Sequence, residues 1–317
     1  MAGTLIDPAA EAYEAADAFA RQSLSQATLR AYRADWQHFL AWCRSKRLAS
    51  LPAEPQTLAA YLASQATTHS RSTIERRIVA IGQAHKIAGH DWRPSHPIVR
   101  ATLKGMFRTH GRPQVKAAAL GREEVVALLS ACTGSFAARR DRTMFLLAFA
   151  GALRRSELAA IRVEDLRFTR EGLRLFLPRS KTDGENRGAE IGIAAGRNPQ
   201  TCPVVALQAW LDAAAIDAGP VFRAIRADGA LSDTAITPDS IGRILRRRAS
   251  AAGLDADAYE RITPHGFRAG FITDAYRAGA RDEHIMGHSR HKSLKTMHGY
   301  IRRAKLMSDS PSKLLGL

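Results

Sequence analysis

The sequence predicts a mainly α-helical protein of two domains, with a small antiparallel β-sheet in the second. Three observations support this fold class. Apolar residues recur at spacings of three and four between residues 25 and 109, a pattern typical of amphipathic helices. Short apolar runs bounded by Gly, Pro and Asn occur at 173–177 and 189–193, and they indicate strands. A chain of 317 residues is long enough for two ordinary domains, each with its own core.

The first domain, residues 21–110, is predicted to be an all-helical bundle that follows a polar leader at 1–20. Its third helix is the clearest, because Ser72-Thr-Ile-Glu75 matches a capping box and Gly89 suits the C-terminal end. No strand pattern interrupts this region. The four predicted helices begin after Ser25, near Pro55, after Ser72 and near residue 97.

A linker at 111–117, which contains Gly and Pro, leads into a second domain at 118–317. Helical patterns dominate this domain, and its two predicted strands form a hairpin whose connecting loop holds Lys181. Beyond the last long helix, residues 304–317 form a tail that is too short to build a core of its own.

The strong positive charge predicts a polyanionic partner. Lys and Arg number 47 against 30 Asp and Glu, which gives a formal net charge of +17 and a pI near 10.6. The excess is +8 over residues 1–117 (16 basic, 8 acidic) and +9 over residues 118–317 (31 basic, 22 acidic). Double-stranded DNA is the leading partner, and the two basic domains are expected to close around a duplex as a clamp.

The sequence gives no sign of a membrane segment, a secretion signal or a disulfide framework. No long apolar stretch is present, and the N-terminus lacks the basic-then-apolar order of a signal peptide. The protein is therefore expected to be cytoplasmic, without a membrane partner. Its three cysteines form no Cys-x-x-Cys pair and are expected to be buried, reduced thiols rather than metal ligands: Cys43, Cys132 and Cys202.

Two clusters of basic residues are candidates for contact with the DNA backbone. Between residues 71 and 116, ten basic residues stand against only two acidic ones, whereas a merely solvated surface usually mixes both signs. A second cluster follows Thr237, with spacings that place its members on one helical face; a solvated stripe explains it equally well. The candidate DNA-binding residues are Arg71, Arg76, Arg77, Lys86, Lys104, Arg108, Arg243, Arg246 and Arg247.

The segment Thr263-Pro-His-Gly-Phe-Arg-Ala-Gly270 organises the second domain. Pro264 suits the first turn of a helix, and His265 and Arg268, three residues apart, project from the same helical face. The free amide groups of a helix N-terminus favour anions. The segment therefore predicts a phosphate pocket that an imidazole and a guanidinium share.

Three boxes, in chain order, resemble those of the tyrosine recombinase (phage integrase) family. Gly151-Ala-Leu-Arg-Arg-Ser-Glu-Leu158 resembles the family's Thr-Gly-Leu-Arg-x-Ser-Glu-Leu, and Pro264-His-Gly-Phe-Arg268 resembles its His-x-Leu-Arg box. The stretch at 289–302 is similar to the final box, where a His or Trp stands nine positions before a nucleophilic tyrosine, here Tyr300. The resemblance covers nearly the whole chain, and residues 42–55 resemble the Cre-like branch.

Two histidines are candidates for the histidine position of the final box. The family usually has Gly-His, which favours His288, yet His288 stands twelve residues before Tyr300. His291 has the spacing of nine and is preferred, because a shift of three residues along a helix moves a side chain by about 4–5 Å. Arg290 then occupies the usual Gly position, and His288 is expected to be a helix-end or backbone-contact residue.

Cleavage of a phosphodiester by a tyrosine needs positive charge nearby. The reference pKa of a phenol is near 10, so roughly one phenol in a thousand is ionised at pH 7. Arg154 and Arg268 can each donate paired N–H bonds to phosphate oxygens, a geometry that lysine cannot copy. Glu157 is expected to support the site by orienting His265 or Arg154 through hydrogen bonds.

The resemblance implies the remaining roles. Tyr300 is the implied nucleophile, His291 a further phosphate donor and His265 an aid to proton transfer at the tyrosine. Lys181 is the implied general acid for the 5′-oxygen. A 3′-phosphotyrosine would keep the energy of the cut bond, so neither a nucleotide cofactor nor a metal is expected. Consistently, the sequence has no phosphate loop ending in Gly-Lys-Ser/Thr and no acidic cluster for Mg²⁺.

These features predict a site-specific DNA recombinase that cuts and rejoins duplex DNA and acts as a homo-tetramer on two paired sites. The resemblance also implies that the tail at 304–317 docks on a neighbouring subunit, whereas packing on its own domain is the simpler alternative. Two functional alternatives remain: relaxation of DNA by a type IB topoisomerase-like reaction, and DNA binding without catalysis. The sequence identifies neither the target site nor any accessory protein.

Overall fold

The computed structural model describes residues 24–113, 115–178, 188–256, 260–304 and 310–315. The chain forms two compact units, Met1–Gln114 and Val115–Leu317. The boundary between them lies inside the segment predicted as a linker. The predicted leader at 1–20 and the loop lysine Lys181 lie outside the described residues, as do residues 305–309 and 316–317 of the predicted tail.

Within its described residues, the first unit is built from four helices whose apolar faces meet in one core. Ser25 caps the first helix by accepting a hydrogen bond from the Thr28 N–H. Phe39, Tyr61 and Ile81, from three different helices, are fully buried at the centre. The helices are α1 (Gln26–Lys46), α2 (Pro55–Ser64), α3 (Arg71–Ile87) and α4 (Pro97–His110).

The capping residue of α3 differs from the one that the sequence predicted. Ser70, not Ser72, adopts the extended backbone of a cap, and its side chain accepts a hydrogen bond from the Thr73 N–H. Arg71 lies in the first turn and pairs with Glu75 one turn later. Glu75 therefore supports the helix through an i,i+4 ion pair, and the predicted capping box at 72–75 was wrong.

The second unit contains eight described helices around a larger core. The central helix is α10, which packs against α5, α6, α11 and α12. Phe145 of α6 and Phe267 of α10 stack with ring centroids 5.5 Å apart, and both are fully buried. The helices are α5 (Arg122–Ser130), α6 (Phe136–Ala150), α7 (Arg155–Ala160), α8 (Pro203–Ala214), α9 (Pro238–Ala251), α10 (His265–Arg277), α11 (Asp282–Ser289) and α12 (Leu294–Ala304).

The strands of the second unit form three small sheets among the described residues. The predicted hairpin pairs Leu173 with Ile193 and Leu175 with Ile191, and a third antiparallel strand extends it to the order β2-β3-β4. The fold class, mainly α with a small antiparallel sheet, is confirmed. A second antiparallel pair (β5-β6) and a short parallel pair (β1-β7) were not predicted. The strands are β1 (Lys116–Ala117), β2 (Leu166–Phe168), β3 (Gly172–Leu177), β4 (Ala189–Ala194), β5 (Arg223–Ile225), β6 (Leu231–Ala235) and β7 (Glu260–Arg261).

No helix in the described ranges is both long and apolar enough to cross a membrane. The three cysteines are buried and unpaired, as expected: Cys43, Cys132 and Cys202.

Two glycines let α10 lie directly against the chain that enters the second unit. The Leu120 N–H donates a 2.9 Å hydrogen bond to the carbonyl oxygen of Gly266. A methyl group on Gly266 would overlap the carbonyl oxygen of Ala118, and one on Gly270 would overlap that of Leu120. The absence of a side chain at both positions therefore sets the place of α10, which carries His265 and Arg268.

We expect Gly270→Ala to destabilise the second unit by about 2–3 kcal/mol, because backbone atoms, unlike flexible side chains, cannot move aside for the new methyl group. Gly287→Ala is the matched control, since no atom lies within 4 Å of a methyl group there; in α11 it should stabilise by about 0.5–1 kcal/mol. Urea unfolding measures both. Equal effects of the two substitutions would contradict the proposed close packing.

Candidate active site

Arg268 is the most deeply buried member of the candidate site. It lies one turn into α10 and its side chain is 1% exposed. Its Nη1 donates a 2.9 Å hydrogen bond to the carbonyl oxygen of Ala152, and its Nη2 lies 3.3 Å from Nδ1 of His291. These contacts join the start of α10 to the loop before α7 and to the turn between α11 and α12.

Ala152 adopts a left-handed backbone, with φ of 45°, that turns the chain between α6 and α7. The Arg154 backbone N–H then caps α7 by donating a 2.9 Å hydrogen bond to Glu157 Oε2. The Arg154 guanidinium donates to Glu157 Oε1 at 2.6 Å. Glu157 therefore supports Arg154, one of the two roles that the sequence predicted for it.

The phenol of Tyr300 lies beside both histidines of the cluster. Tyr300 is on α12, and its hydroxyl oxygen is 2.7 Å from Nε2 of His265, at the first residue of α10. The Tyr300 and His291 rings are 5.9 Å apart. Burial raises the pKa of Tyr300, and the positive charges of Arg268 and Arg154 only partly oppose that shift. The phenol of Tyr300 is therefore uncharged at pH 7.

The two candidate histidines of the final box lie in different environments. His288 donates from Nε2 to the carbonyl oxygen of Ala150 at 2.8 Å and stacks on Phe271, with ring centroids 4.6 Å apart. His291 contacts Arg268, and its Nδ1 also lies 2.8 Å from the Ser289 hydroxyl. The structure thus brings His291, and not His288, to Arg268 and Tyr300.

Burial and crowded positive charge dominate the electrostatics of the site. Burial, followed by the like charges of Arg154 and Arg290, lowers the pKa of Arg268 to about 9, so it is still charged at pH 7. The same effects, burial first and the Arg268 charge next, lower the pKa of His291 to about 4. Burial opposes the ionisation of Glu157, but Arg290 and Arg154 outweigh it and hold that pKa below its ordinary value.

Arg290 is a member of the cluster to which sequence reasoning gave no role. Its side chain is 8% exposed, and its Nη2 donates to Glu157 Oε2 at 2.9 Å. Its left-handed backbone, with φ of 57°, explains why glycine suits this position. An arginine at the usual Gly position of the final box was the available signal.

The predicted site residues separate into two groups. The structure brings six of them into one cluster in the second unit, whereas Lys181 lies outside the described residues. Arg155, which adjoins the first box, points elsewhere and pairs with Asp239 at 3.0 Å. The six clustered residues are Arg154, Glu157, His265, Arg268, His291 and Tyr300.

The predicted DNA-binding residues of the first unit are not all at the surface. Arg77 is buried beside Asp35 and donates to Gln65 Oε1 at 2.8 Å. Arg76 is partly exposed and binds both carboxylate oxygens of Asp35. Arg77 therefore acts as a core ion-pair partner in this unit. The remaining candidates are exposed: Arg71, Lys86, Lys104 and Arg108.

The candidates of the second unit are exposed on α9: Arg243, Arg246 and Arg247. Arg247 lies 3.7 Å from the buried carboxylate of Asp141. The neighbouring Arg248, which is mostly buried, binds that carboxylate more closely at 2.8 Å. One side of α9 thus anchors the helix, and the other presents arginines to solvent.

In the part of the chain that the structure describes, no group of three or more His, Cys, Asp or Glu side chains is arranged to hold a metal ion.

Comparisons with known proteins identify the family. The model of the phage integrase family matches residues 119–307. An integrase/recombinase XerD homolog of Selenomonas ruminantium is 34% identical over 293 residues, which cover 91% of this chain and 85% of the relative. The chain belongs to the phage integrase family of tyrosine recombinases.

Two solved structures share the fold at low sequence identity. A lambda integrase dimer bound to a COC′ core site has a TM-score of 0.62 at 16% identity, covering 92% of this chain and 75% of that one. A lambda integrase tetramer bound to a Holliday junction has a TM-score of 0.58 at 15% identity, covering 92% and 83%. The Cre-like branch stays a prediction.

We expect the pH dependence of stability to report the buried state of His291. Its pKa is about 4 in the folded protein against 6.5 as the reference value. Between these values the unfolded chain binds more protons at this residue, so stability falls as the pH falls from 6.5 towards 4. His291→Gln should reduce that loss of stability by about 1–2 kcal/mol. This is less than the free energy that corresponds to the full pKa shift, because the ring is partly exposed.

Urea unfolding at pH 7 and at pH 5 measures this effect. His110→Gln is the control, because His110 is exposed at the end of α4. If the two variants show the same pH dependence, His291 is not held neutral by its surroundings.

Proposed function

We propose that this protein is a site-specific DNA recombinase that cleaves and rejoins duplex DNA through a covalent 3′-phosphotyrosine at Tyr300. One observation carries the proposal. A neutral phenol, 2.7 Å from His265 Nε2, lies within the electrostatic influence of both Arg154 and Arg268. A nucleophile, a proton acceptor and two guanidinium groups are the parts that phosphoryl transfer from a tyrosine requires.

The proposed first step is an in-line attack by the phenolic oxygen of Tyr300 on the scissile phosphorus. The phenolic proton passes to His265 Nε2, because burial keeps the phenol protonated until a base accepts its proton. A bond forms between the tyrosine oxygen and phosphorus, and the bond from phosphorus to the 5′-oxygen breaks. Lys181 supplies the proton that the departing 5′-oxygen takes up. Reversal of these transfers by another 5′-hydroxyl rejoins the strand.

The guanidinium groups favour the extra negative charge of the pentacoordinate phosphorane. Arg154, Arg268 and Arg290 share Glu157 as a nearby carboxylate, so positive charge exceeds negative charge around the pocket. Burial first, and the like charges of Arg154 and Arg290 next, lower the pKa of Arg268, so its charged form costs free energy in the absence of an anion. A bound phosphate would relieve the repulsion, and the phosphorane would relieve it further.

His291 acts in this scheme as a neutral donor. In the proposed tautomer, Nδ1 of His291 accepts from Arg268, since a guanidinium can only donate hydrogen bonds, and the ring proton is on Nε2. Its low pKa keeps the ring uncharged at neutral pH. The Nε2–H group is then available to a non-bridging phosphate oxygen.

Recombination requires two DNA sites, and we propose that a homo-tetramer holds them. The exposed basic residues of α3, α4 and α9 would contact the phosphate backbone of the duplex. The tail at 304–317 would dock on a neighbouring subunit. The fold shared with a lambda integrase tetramer bound to a Holliday junction supports this assembly.

We expect Tyr300→Phe to abolish covalent adduct formation, because the phenolic oxygen is the proposed nucleophile. The substrate is DNA that flanks the gene, prepared as nicked duplexes so that a cut strand diffuses away and traps the adduct. Denaturing gels and peptide mapping detect the protein–DNA linkage. Tyr276→Phe, on α10, is the matched control and should form the adduct like the wild type.

Other results of the adduct assay would support one of the two alternative functions or refute the assigned nucleophile. DNA binding without an adduct in any variant would indicate a non-catalytic DNA-binding protein. An adduct that depends on Tyr300, together with plasmid relaxation but no exchange between two sites, would indicate a topoisomerase-like enzyme. An adduct that persists in Tyr300→Phe would refute the assigned nucleophile.

We expect Lys181→Ala to slow cleavage of ordinary DNA by roughly 10²–10⁴-fold, as the loss of a general acid does. DNA in which sulfur replaces the bridging 5′-oxygen should be cleaved at a nearly normal rate, because a thiolate leaves without a proton at neutral pH. Lys46→Ala, at the exposed end of α1, should leave both rates unchanged. Equal slowing on both substrates would exclude Lys181 as the acid.

A further inference from the structure

The position of Arg290 in the fold is unusual for a charged residue. It terminates α11 with φ of 57° and ψ of 42°, a left-handed conformation that costs a non-glycine residue free energy. The next residue donates its N–H to the carbonyl oxygen of Met286, which closes the helix end in the manner typical of glycine. Arg47 ends α1 in the same conformation with an exposed side chain, whereas the side chain of Arg290 is 8% exposed.

The Arg290 side chain makes four hydrogen bonds across the site. Its Nη1 donates to the carbonyl oxygens of His288 at 2.7 Å and Gly151 at 3.3 Å. Its Nη2 donates to the carbonyl oxygen of Ala152 at 3.1 Å and to Glu157 Oε2 at 2.9 Å. Nε is buried and has no partner among the described residues. One guanidinium therefore connects the end of α11 to the turn before α7.

Two of these acceptors are shared with the proposed phosphate-binding arginines. The carbonyl oxygen of Ala152 accepts from both Arg268 and Arg290. The carboxylate of Glu157 accepts from the Arg154 guanidinium through Oε1, and from both Arg290 and the Arg154 backbone N–H through Oε2. Arg290 thus contacts the group that orients each of the two arginines.

We infer that Arg290 is a positioning residue for phosphoryl transfer: by holding Glu157 and the Ala152 carbonyl, it fixes Arg154 and Arg268 in the geometry that binds the phosphate. The inference rests on the proposed function. Arg290 points at protein acceptors and is not assigned a contact with DNA. Lysine cannot replace it fully, because an ammonium has three N–H donors on a single nitrogen and cannot bond all four acceptors at once.

The charged groups around Glu157 give this role a measurable signature. Arg154 lies at the start of α7, Arg268 on α10 and Arg290 just after α11, and the titratable His288 lies on α11. Burial opposes the ionisation of Glu157, and Arg290 is the largest charge that counteracts it. Without Arg290, the pKa of Glu157 rises, and the site loses its carboxylate at a higher pH.

The test measures the rate of adduct formation from pH 4 to pH 8 on the nicked duplex, since the Glu157 pKa lies below its reference value of 4.5. We expect Arg290→Met to lower the rate about 10- to 100-fold at pH 7, since small displacements of catalytic groups have effects of this size. The acidic limb of its pH profile should move to higher pH, because Glu157 loses the positive charge that favours its ionised form. Arg290→Lys should be intermediate in rate, with an acidic limb close to that of the wild type.

Combination with Glu157→Gln separates positioning from general structural damage. Glu157→Gln cannot ionise, so adding Arg290→Met to it should shift the acidic limb no further and should lower the rate less than it does in the wild type. Arg281→Met is the control, because Arg281 is exposed at the other end of α11. Melting temperatures and the affinity for an uncut duplex are measured for every variant.

The outcomes are distinct. A wild-type rate in Arg290→Met overturns the inference. So does a rate that falls by the same factor at all pH values together with a lowered melting temperature. If Arg290→Met does not fold, Arg290→Lys decides: a wild-type rate overturns the inference, and an intermediate rate with a melting temperature close to that of the wild type supports it. If the wild-type protein itself forms no adduct that depends on Tyr300, the proposed function has failed, and not the assignment of Arg290.

Discussion

The burial of the Arg268 guanidinium is the constraint on which the second unit depends. A charged group that is 1% exposed must be hydrogen-bonded, and the carbonyl oxygen of Ala152 provides one acceptor. That acceptor exists because the chain takes a left-handed turn at Ala152. It lies within reach because Gly266 and Gly270 let α10 approach its neighbours closely. The same contacts therefore determine both the core packing of this unit and the geometry of its site.

The resting site combines neutral hydrogen-bonding groups with crowded cations. The surroundings keep the phenol of Tyr300 and the ring of His291 uncharged, whereas Arg268 stays charged despite two like charges nearby. This arrangement is costly without an anion, because the guanidinium groups outnumber their shared carboxylate. It is matched to a phosphate that gains negative charge during reaction, since each added charge relieves repulsion that the fold already contains.

Motif spacing predicted most residues of the cluster, because the residues within each box stand at short, fixed intervals. His265 and Arg268 share a helical face, and the interval of nine residues selected His291 over His288. Contacts between distant elements were not predictable in this way. The burial of Arg77 depends on Asp35 of another helix. The β5-β6 pair is short and carries Arg223 and Asp233, so it lacks an apolar pattern.

Ala152 and Arg290, two of the four non-glycine residues with positive φ in the described part of the chain, connect these observations. Both stand where the family boxes have glycine, and both adopt the backbone for which glycine is best suited. Arg290 donates to the Ala152 carbonyl, so the two strained positions are joined by one hydrogen bond. A strained backbone persists only where surrounding contacts determine it, and here these contacts are those of Arg268, Glu157 and Arg290. The hydrogen bonds that orient the arginines thus also stabilise the left-handed backbone. A substitution that removes the hydrogen bonds of one of these residues is therefore expected to increase the mobility of the others.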